Sequence, residues 1–235
     1  MTMERNVPRP ALLLAATLVT TWVASLAPGG WQVARAAEPS RDDMLTAECG
    51  NPFDNGTVGP WDYNDGEDRT NPQKIPIVEK FHLTRDVESL VRGSTGAYAL
   101  NDLDYTLRAV PNHPRALNAV ARYDVEKGGI PPDFRSAACW FNRAMRFRPE
   151  DGNVYLVYAN WQSRKGGLNE ALEAYQTAKK LLPRSIEVDY NLGLLYVRMG
   201  DYDKALECAR VAYAGNYPLQ GLRRKLAEKG MDVTP

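Results

Sequence analysis

Few side chains in this sequence could carry chemistry, and they form no recognisable catalytic motif. The sequence has two histidines, His82 and His113, and three cysteines, Cys49, Cys139 and Cys208. Cys49 and His82 could pair as a nucleophile and its base, but nothing in the sequence indicates a third group to orient them. It contains no CxxC, HExxH or phosphate-binding glycine loop. The sequence therefore predicts no catalytic residue, no metal site and no cofactor.

An acidic stretch at residues 62–68, DYNDGED, is the other candidate for chemistry. Several carboxylates close together suggest a calcium-binding site, but the glycine after Asp65 is at the wrong position for an EF-hand loop. A solvated acidic turn is the simpler interpretation. His113 stands between Pro111 and Pro114, where we expect a turn or helix-capping role instead of catalysis.

The N-terminus has the pattern of a secretory signal peptide. Arg5 and Arg9 precede an apolar run at residues 11–27, and residues 34–36 (ARA) fit a cleavage site. An uncleaved membrane anchor is the alternative, but the run is shorter than the about 20 residues of a membrane span and includes polar threonines. The sequence therefore predicts a signal peptide at residues 1–36, and export.

The balanced charge of the sequence and its predicted export limit the classes of partner that we expect. Lys plus Arg and Asp plus Glu both number 29, so no overall basic field would attract nucleic acid or anionic lipid. Membrane contact is expected only through the signal segment, if that segment stays uncleaved. Export also permits a disulfide, and three cysteines can form at most one intramolecular pair.

The exported chain divides into a turn-rich part and a helical part. Residues 37–100 hold many glycines and prolines and show no helical period up to about residue 75. Aromatic residues in this part indicate that it packs against something. A short helix is predicted near 84–92, with Thr84 able to cap it and Gly93 able to end it.

A repeat governs the sequence from residue 101 onwards. Four prolines recur at an interval of about 34 residues; they are Pro111, Pro149, Pro183 and Pro218. A small residue lies five positions before each of the first three prolines; these residues are Thr106, Ala144 and Ala178. Small residues let two crossing helices approach closely. A unit of two helices with this length and this pattern resembles the tetratricopeptide-repeat (TPR) family.

The resemblance implies how the helical part, residues 101–218, is divided. It places a half repeat at 102–111 and full repeats at 114–149, 152–183 and 186–218. A capping helix and tail follow at 219–235. The predicted fold is therefore all-α: a TPR helical-hairpin solenoid with an N-terminal turn-rich coil and a C-terminal capping helix.

A narrower resemblance concerns the N-terminal half. The strings GPWDY at residues 59–63 and CWF at residues 139–141 resemble a group of bacterial exported TPR proteins. That resemblance brings no activity with it. It does favour a bacterial periplasmic or cell-envelope location.

The TPR resemblance also implies a binding groove, because the first helix of each repeat lines the concave side in that family. The matching positions are Arg115, Asn118, Arg122, Asn153, Asn160, Arg164, Tyr190, Leu194 and Arg198. Asn can grip peptide backbone and Arg can pair with carboxylates, so such a groove suits an extended peptide. The set does not reproduce the full carboxylate clamp of TPR domains that bind chaperone tails. Ordinary solvated polar residues are the alternative interpretation.

The helical period separates the cysteines. At 100° per residue, Cys139 lies on the side of its helix away from the packed face, whereas Cys208 lies with Ala205 and Ala209 on the packed face. Cys208 is therefore expected to be an inert core thiol. We hypothesise a Cys49–Cys139 disulfide that pins the N-terminal coil on the first repeat. Two free thiols are the alternative.

Two functions from different classes follow from these observations. The first is an exported TPR scaffold, not an enzyme, that binds a protein or peptide partner through the groove. The alternative is an enzyme or cofactor-binding protein whose active part is the N-terminal Cys/Asp-rich segment.

Overall fold

A computed structural model describes residues 47–233 of the protein, except 55, 57, 95 and 97. Within these residues the chain forms helices and connecting segments and has no β-strand. The all-α, TPR-like prediction is thereby confirmed. The predicted signal peptide at 1–36 lies outside the described residues. No helix of the described part combines the length and apolar character that a membrane crossing needs.

The helices are numbered here in chain order. They are α1 (Gly66–Thr70), α2 (Ile75–His82), α3 (Arg85–Glu88), α4 (Ala99–Ala109), α5 (Pro114–Glu126), α6 (Ala137–Phe147), α7 (Gly152–Lys165), α8 (Leu168–Leu181), α9 (Ile186–Met199), α10 (Tyr202–Ala214) and α11 (Gly221–Ala227).

The helices stack in chain order, as in a solenoid. The pairs α5/α6, α7/α8 and α9/α10 fall within the three predicted full repeats, and α5, α7 and α9 each contact the first helix of the neighbouring pair. Helix α11 packs on α9 and α10. Its Leu222 and Leu226 are fully buried there, which is how a terminal helix covers the last open apolar face.

Small residues let the paired helices approach. Ala159 of α7 and Ala171 and Ala178 of α8 are fully buried at one crossing. At the next crossing, a Cβ added to Gly193 of α9 would lie 2.5 Å from the Leu222 side chain. The close approach of α9 and α11 therefore depends on glycine at this position.

Polar side chains begin several of these helices, as the pattern of short polar residues indicates. Ser136, Asp151, Ser185 and Asp201 each accept a hydrogen bond from a backbone N–H in the first turn of α6, α7, α9 or α10. His113 caps α5 in the same way, with its Nδ1 3.4 Å from the backbone nitrogen of Ala116. The capping role predicted for His113 is therefore present.

The N-terminal part differs from the prediction. Helices α1 and α2 were not predicted, because the prolines and glycines of this region were interpreted as continuous turns. Pro76 lies in the first turn of α2, where a proline is tolerated because no N–H is needed there. The helix predicted near 84–92 is shorter and ends at Glu88.

These N-terminal helices complete the predicted half repeat. Helix α4 packs on α2, α3 and α5. Val78 of α2 and Val87 of α3 are buried in these contacts, together with Leu103 and Leu107 of α4. Helices α2 and α3 therefore occupy the place of the first helix that the half repeat lacks in the sequence.

Candidate partner-binding groove

A groove of about 500 Å³ lies against α7, α9 and the chain that follows α10. The structure brings six of the predicted groove positions together here: Asn118, Asn160, Arg164, Tyr190, Leu194 and Arg198. They come from three successive first helices, α5, α7 and α9, which the stacking places side by side. The remaining predicted positions lie elsewhere.

Arg115 and Arg122 lie at the junction of α5 with α3 instead of in the groove. Arg115 makes a two-point contact with Glu88, with Nε 3.1 Å from Oε1 and Nη2 2.6 Å from Oε2. It also lies 3.4 Å from Glu79 of α2. This hydrogen bonding to Glu88 raises the pKa of Arg115 and lowers the pKa of Glu88. Arg122 donates to the backbone oxygen of Glu88.

The reason for this placement is α3, which lies within the helix predicted near 84–92 and packs on α5. Its Glu88 contacts both arginines, Arg115 through the carboxylate and Arg122 through the backbone oxygen, where a repeat at the end of the stack would leave them exposed. Asn153 is exposed at the start of α7 and does not line the groove. The groove is therefore formed mainly by the second and third full repeats, with Asn118 as its lining residue from the first.

Arg198 joins the two central helices of the groove. One guanidinium nitrogen, Nη1, donates to both the backbone oxygen and the hydroxyl of Ser163 on α7, the latter at 2.7 Å. Asn160 accepts a hydrogen bond of 2.5 Å from the buried Tyr175 hydroxyl. Burial raises the pKa of Tyr175, so its hydroxyl remains a neutral donor. These bonds hold polar side chains of the groove in fixed positions.

An aromatic pair lines the groove. The rings of Tyr190 and Tyr217 lie 4.4 Å apart, centre to centre. Tyr217 and Leu219 belong to the connection between α10 and α11, which folds back over α9. Tyr217 was not among the predicted positions because it lies outside any first helix. The only available signal was an aromatic residue directly before Pro218.

Positive charge predominates in the groove. Arg164, Arg198 and Lys225 line it, against the single acid Glu187. Arg164 and Lys225 are exposed, and the one ion pair of Arg164 within the described residues is a long contact of 3.7 Å with Glu126. The groove thus combines cations, side-chain amides and an aromatic surface.

The predicted disulfide is present between Cys49 and Cys139, whose Cα atoms lie 4.9 Å apart. Arg143 donates to the backbone oxygens of Cys49 and Asn51, and Arg146 donates to that of Gly50. Cys139 does face away from the repeat core, but the N-terminal segment covers it, so both cysteines are buried. Burial lowers the pKa of Arg143 to about 10, which leaves the guanidinium charged at neutral pH.

The disulfide removes the thiol that a Cys49–His82 dyad would need. Cys208 is the free cysteine of the described chain, and burial raises its pKa to about 12. Thiols react as thiolates, and a raised pKa disfavours the thiolate of Cys208, in line with the inert thiol expected from its helical position.

The acidic turn holds the N-terminal segment together. Asp65 caps α1 by accepting from the N–H groups of Glu67 and Asp68, both at 2.9 Å. The Lys74 ammonium contacts Glu67 and Asp68. Carboxylate oxygens of Asp65, Glu67 and Asp68 lie within 4.8 Å of one another. Lys74 supplies the positive charge that such a cluster of carboxylates requires.

Asp62 connects this turn to the repeats. Its carboxylate accepts from Asn112 Nδ2 at 2.7 Å and from Arg148 Nε at 2.6 Å. Asn112 is buried and also donates to Asp151, the cap of α7. Burial would raise the pKa of Asp62, but the hydrogen bonds from Arg148, the N–H of Asn64 and Asn112 together lower it.

Similarity to known proteins is confined to solved structures. No protein-family model matches the sequence, and no curated protein matches it. A crystal structure of MamA protein is 19% identical, with a TM-score of 0.48 over 67% of this chain and 83% of that chain. A second MamA structure is 21% identical, with a TM-score of 0.41 over 65% and 89% of the two chains.

A third similar structure is that of TTC0263, a thermophilic TPR protein of Thermus thermophilus. It is 24% identical, with a TM-score of 0.39 over 55% of this chain and 70% of that chain. These similarities concern the helical architecture alone.

Proposed function

We propose that this TPR-like helical solenoid is an exported scaffold that binds an extended, acidic segment of a protein partner in the groove of its C-terminal repeats. The observation that supports this most strongly is the composition of the groove. Three cations face a single acid there, beside side-chain amides and the Tyr190–Tyr217 pair.

Each group suits a different part of an extended peptide. Asn160 and Asn191 can hydrogen-bond to peptide backbone, and the exposed ends of Arg164 and Lys225 can pair with carboxylates. The tyrosine pair offers a flat surface for an apolar side chain. Because helices line the groove, a bound peptide can keep an extended backbone along its length.

The contacts between α3 and α5 support the same ligand chemistry. Arg115 is a groove position by its place in the repeat, and it holds Glu88 by two parallel hydrogen bonds. This is the bidentate geometry in which guanidinium groups recognise carboxylates. The exposed Arg164 occupies the corresponding helix of the next repeat and has room for an acidic group from outside the chain.

Two features support export. The pattern of the first 36 residues is that of a secretory signal peptide. The buried Cys49–Cys139 disulfide suits an oxidising compartment such as the periplasm, because cytosolic thiols are kept reduced. We infer a periplasmic or cell-envelope location, which is tested by identifying the N-terminal residue of the protein purified from that fraction.

The binding proposal is tested with a random peptide library displayed against the purified protein. We expect enrichment of peptides rich in Asp and Glu with an aromatic or aliphatic residue among them. An Arg164→Glu/Lys225→Glu variant should weaken binding of the enriched peptides by roughly 10-fold or more, since opposite charges become like charges. Arg198 is unsuitable for this test because its bonds to Ser163 hold α7 and α9 together.

The matched control is a Lys180→Glu/Arg210→Glu variant. It makes the same change in net charge at two exposed positions of α8 and α10 that do not line the groove. Equal loss of binding in both variants would show that only overall charge matters. Retained binding in the groove variant would remove the groove from the proposal.

A further inference from the structure

A second cavity, separate from the groove, lies between the chain at residues 58–61, α2 and α4. Its volume is about 310 Å³. Its walls are mainly aromatic and aliphatic, formed by Val58, Trp61, Ile77, Val78, Phe81 and Tyr105. Phe81 is 51% exposed and Val58 45% exposed, although both are large apolar side chains. Exposed apolar surface around a concave site is characteristic of ligand-binding sites.

This cavity differs from the groove in its charge. Among the described residues that line it, none is Asp, Glu, Lys or Arg, and Gln73 and His82 complete the lining beside the wall residues. A charged ligand would leave water for a site without a counter-charge, and that transfer costs free energy. The cavity therefore favours an uncharged ligand, whereas three cations line the groove.

The imidazole of His82 provides a fixed hydrogen-bond acceptor. Its Nδ1 lies 2.9 Å from Oδ1 of the fully buried Asp102, whose Oδ2 accepts a hydrogen bond of 2.7 Å from the N–H of Ser94. Because the carboxylate accepts, Nδ1 carries the proton, and Nε2 of the neutral ring is then an acceptor. The two ring nitrogens point apart, so Nε2 is directed away from Asp102. The ring is also held by stacking on Tyr105, with 3.9 Å between centres.

The wall formed by residues 58–61 is held against α4. The N–H of Trp61 donates to the backbone oxygen of Ala109 at 2.9 Å. A Cβ added to Gly59 would lie 2.3 Å from that same oxygen, so the chain approaches the helix as closely as only glycine allows. Contacts within the protein therefore fix this wall, which reduces the entropy lost when a ligand binds.

We propose that this cavity binds a small uncharged molecule with one aromatic ring and a hydroxyl donor, of which a phenol is the simplest example. The ring packs against the aromatic and aliphatic walls, and the hydroxyl donates to Nε2 of His82. The volume lies at the lower end of the range for small-molecule sites, which suits one ring and excludes larger ligands. This site is independent of the partner-binding groove.

The test uses 4-fluorophenol as the probe and its fluorine NMR signal as the readout, with the purified full chain. At about pH 8 an ordinary imidazole is neutral and a phenol keeps its proton. We expect saturable broadening of the signal at millimolar concentration. Fluorobenzene has no donor and should bind roughly 3-fold or more weakly. The charged 4-fluorobenzoate should also bind more weakly than 4-fluorophenol, because the lining offers no counter-charge.

Two variants separate the apolar wall from the acceptor. Phe81→Ala should weaken binding of both 4-fluorophenol and fluorobenzene by roughly 3- to 10-fold, through lost apolar contact. In His82→Asn the amide nitrogen can replace Nδ1 as the donor to Asp102, but the acceptor Nε2 is lost. This variant should therefore remove the advantage of 4-fluorophenol over fluorobenzene. Phe53→Ala is the matched control, since Phe53 is 56% exposed and does not line the cavity. It should leave both affinities within about twofold.

Four outcomes would overturn the proposal. The first is no saturable binding of 4-fluorophenol. The second is binding of fluorobenzene or 4-fluorobenzoate at least as tight as that of 4-fluorophenol. The third is unchanged affinity in Phe81→Ala, or an undiminished advantage of 4-fluorophenol in His82→Asn. The fourth is tighter binding of N-acetyl-tyrosinamide than of 4-methylphenol, which would assign the cavity to a tyrosine of a partner protein instead of a free small molecule. If His82→Asn does not fold, the comparison of the three fluorinated probes and the variant of the half-exposed Phe81 remain decisive.

Discussion

The disulfide between Cys49 and Cys139 should contribute a large share of the stability of this protein. It joins residues 90 positions apart in the sequence. Closing a loop of this length in the unfolded chain corresponds to an upper figure of about 4–5 kcal/mol, and disulfides typically deliver about 2–4 kcal/mol. Domains of this size are stable by only about 5–15 kcal/mol, so the loss should be easily measured.

Other contacts of the N-terminal segment keep it in place in the folded protein when the disulfide is cut. Arg143 and Arg146 remain bonded to the backbone of residues 49–51 when the disulfide is cut, and Asp62 remains paired with Arg148. These bonds keep the segment near α6 in the folded state, so the entropy gained on cutting the disulfide appears in the unfolded chain. We therefore expect a decrease of about 2–4 kcal/mol in the free energy of unfolding.

The assay is urea unfolding of the oxidised and the reduced protein, followed by circular dichroism. Comparing two redox states of one sequence avoids the cavity that a cysteine substitution would leave. Because both cysteines are buried, we expect slow reduction of the folded protein, and a Cys49→Ala/Cys139→Ala variant provides a second route. Cys208→Ala is the control for loss of a half-buried thiol outside the disulfide.

A difference below about 0.5 kcal/mol between the oxidised and reduced proteins would refute the reasoning. It would mean that the unfolded chain gains little freedom when the crosslink is removed. A changed urea dependence with an unchanged midpoint would instead indicate that the N-terminal segment unfolds separately from the repeats.

Two further predictions concern buried polar groups. Asp124→Ala should lower the free energy of unfolding by about 1–3 kcal/mol in urea titrations, because the buried Trp161 indole N–H would lose its acceptor, which is this carboxylate at 2.9 Å. An Asp124→Asn variant keeps an oxygen there and should lose less stability. Equal losses in the two variants would contradict this explanation. His113 is fully buried, and burial lowers its pKa although its Nε2 lies 3.0 Å from Glu79. The unfolded chain therefore binds a proton that the folded chain rejects, and stability should fall as the pH drops below about 6.5 by up to about 1.4 kcal/mol per pH unit. His113→Gln should flatten this dependence between about pH 6.5 and 5 in thermal unfolding, and an unchanged slope would contradict the assignment.

The repeat region was the most predictable part of the fold. Helix boundaries followed from prolines that end each unit and from small residues at fixed offsets, and both signals are local in the sequence. The helices α5 to α10 therefore fall within the predicted units. The N-terminal helices were less predictable, because α1 is only five residues long and the proline in the first turn of α2 was interpreted as part of a turn. The helix containing α3 was predicted, but too long.

The groove could be predicted only in outline. Membership of a first helix placed Asn160, Arg164 and Tyr190 correctly on one surface. It also placed Arg115 there, where the structure has an ion pair with Glu88 of a helix that extends less far than predicted. The repeat pattern did not predict Tyr217, because this residue lies in the connection between α10 and α11. That connection reaches the groove through long-range contacts, which a local sequence period does not specify.

The sequence by itself determined that the chain would form stacked pairs of helices, since the apolar and small residues recur with the period that this packing requires. The helical period also placed Cys139 away from the repeat core, where a second segment could reach it. The tertiary structure decided which segments cover which surfaces. Arg115, which the repeat pattern would present to solvent, is paired with Glu88 of α3, and a cavity forms where the chain at residues 58–61 lies against α4. Such contacts depend on the relative positions of whole elements, which no local sequence pattern specifies.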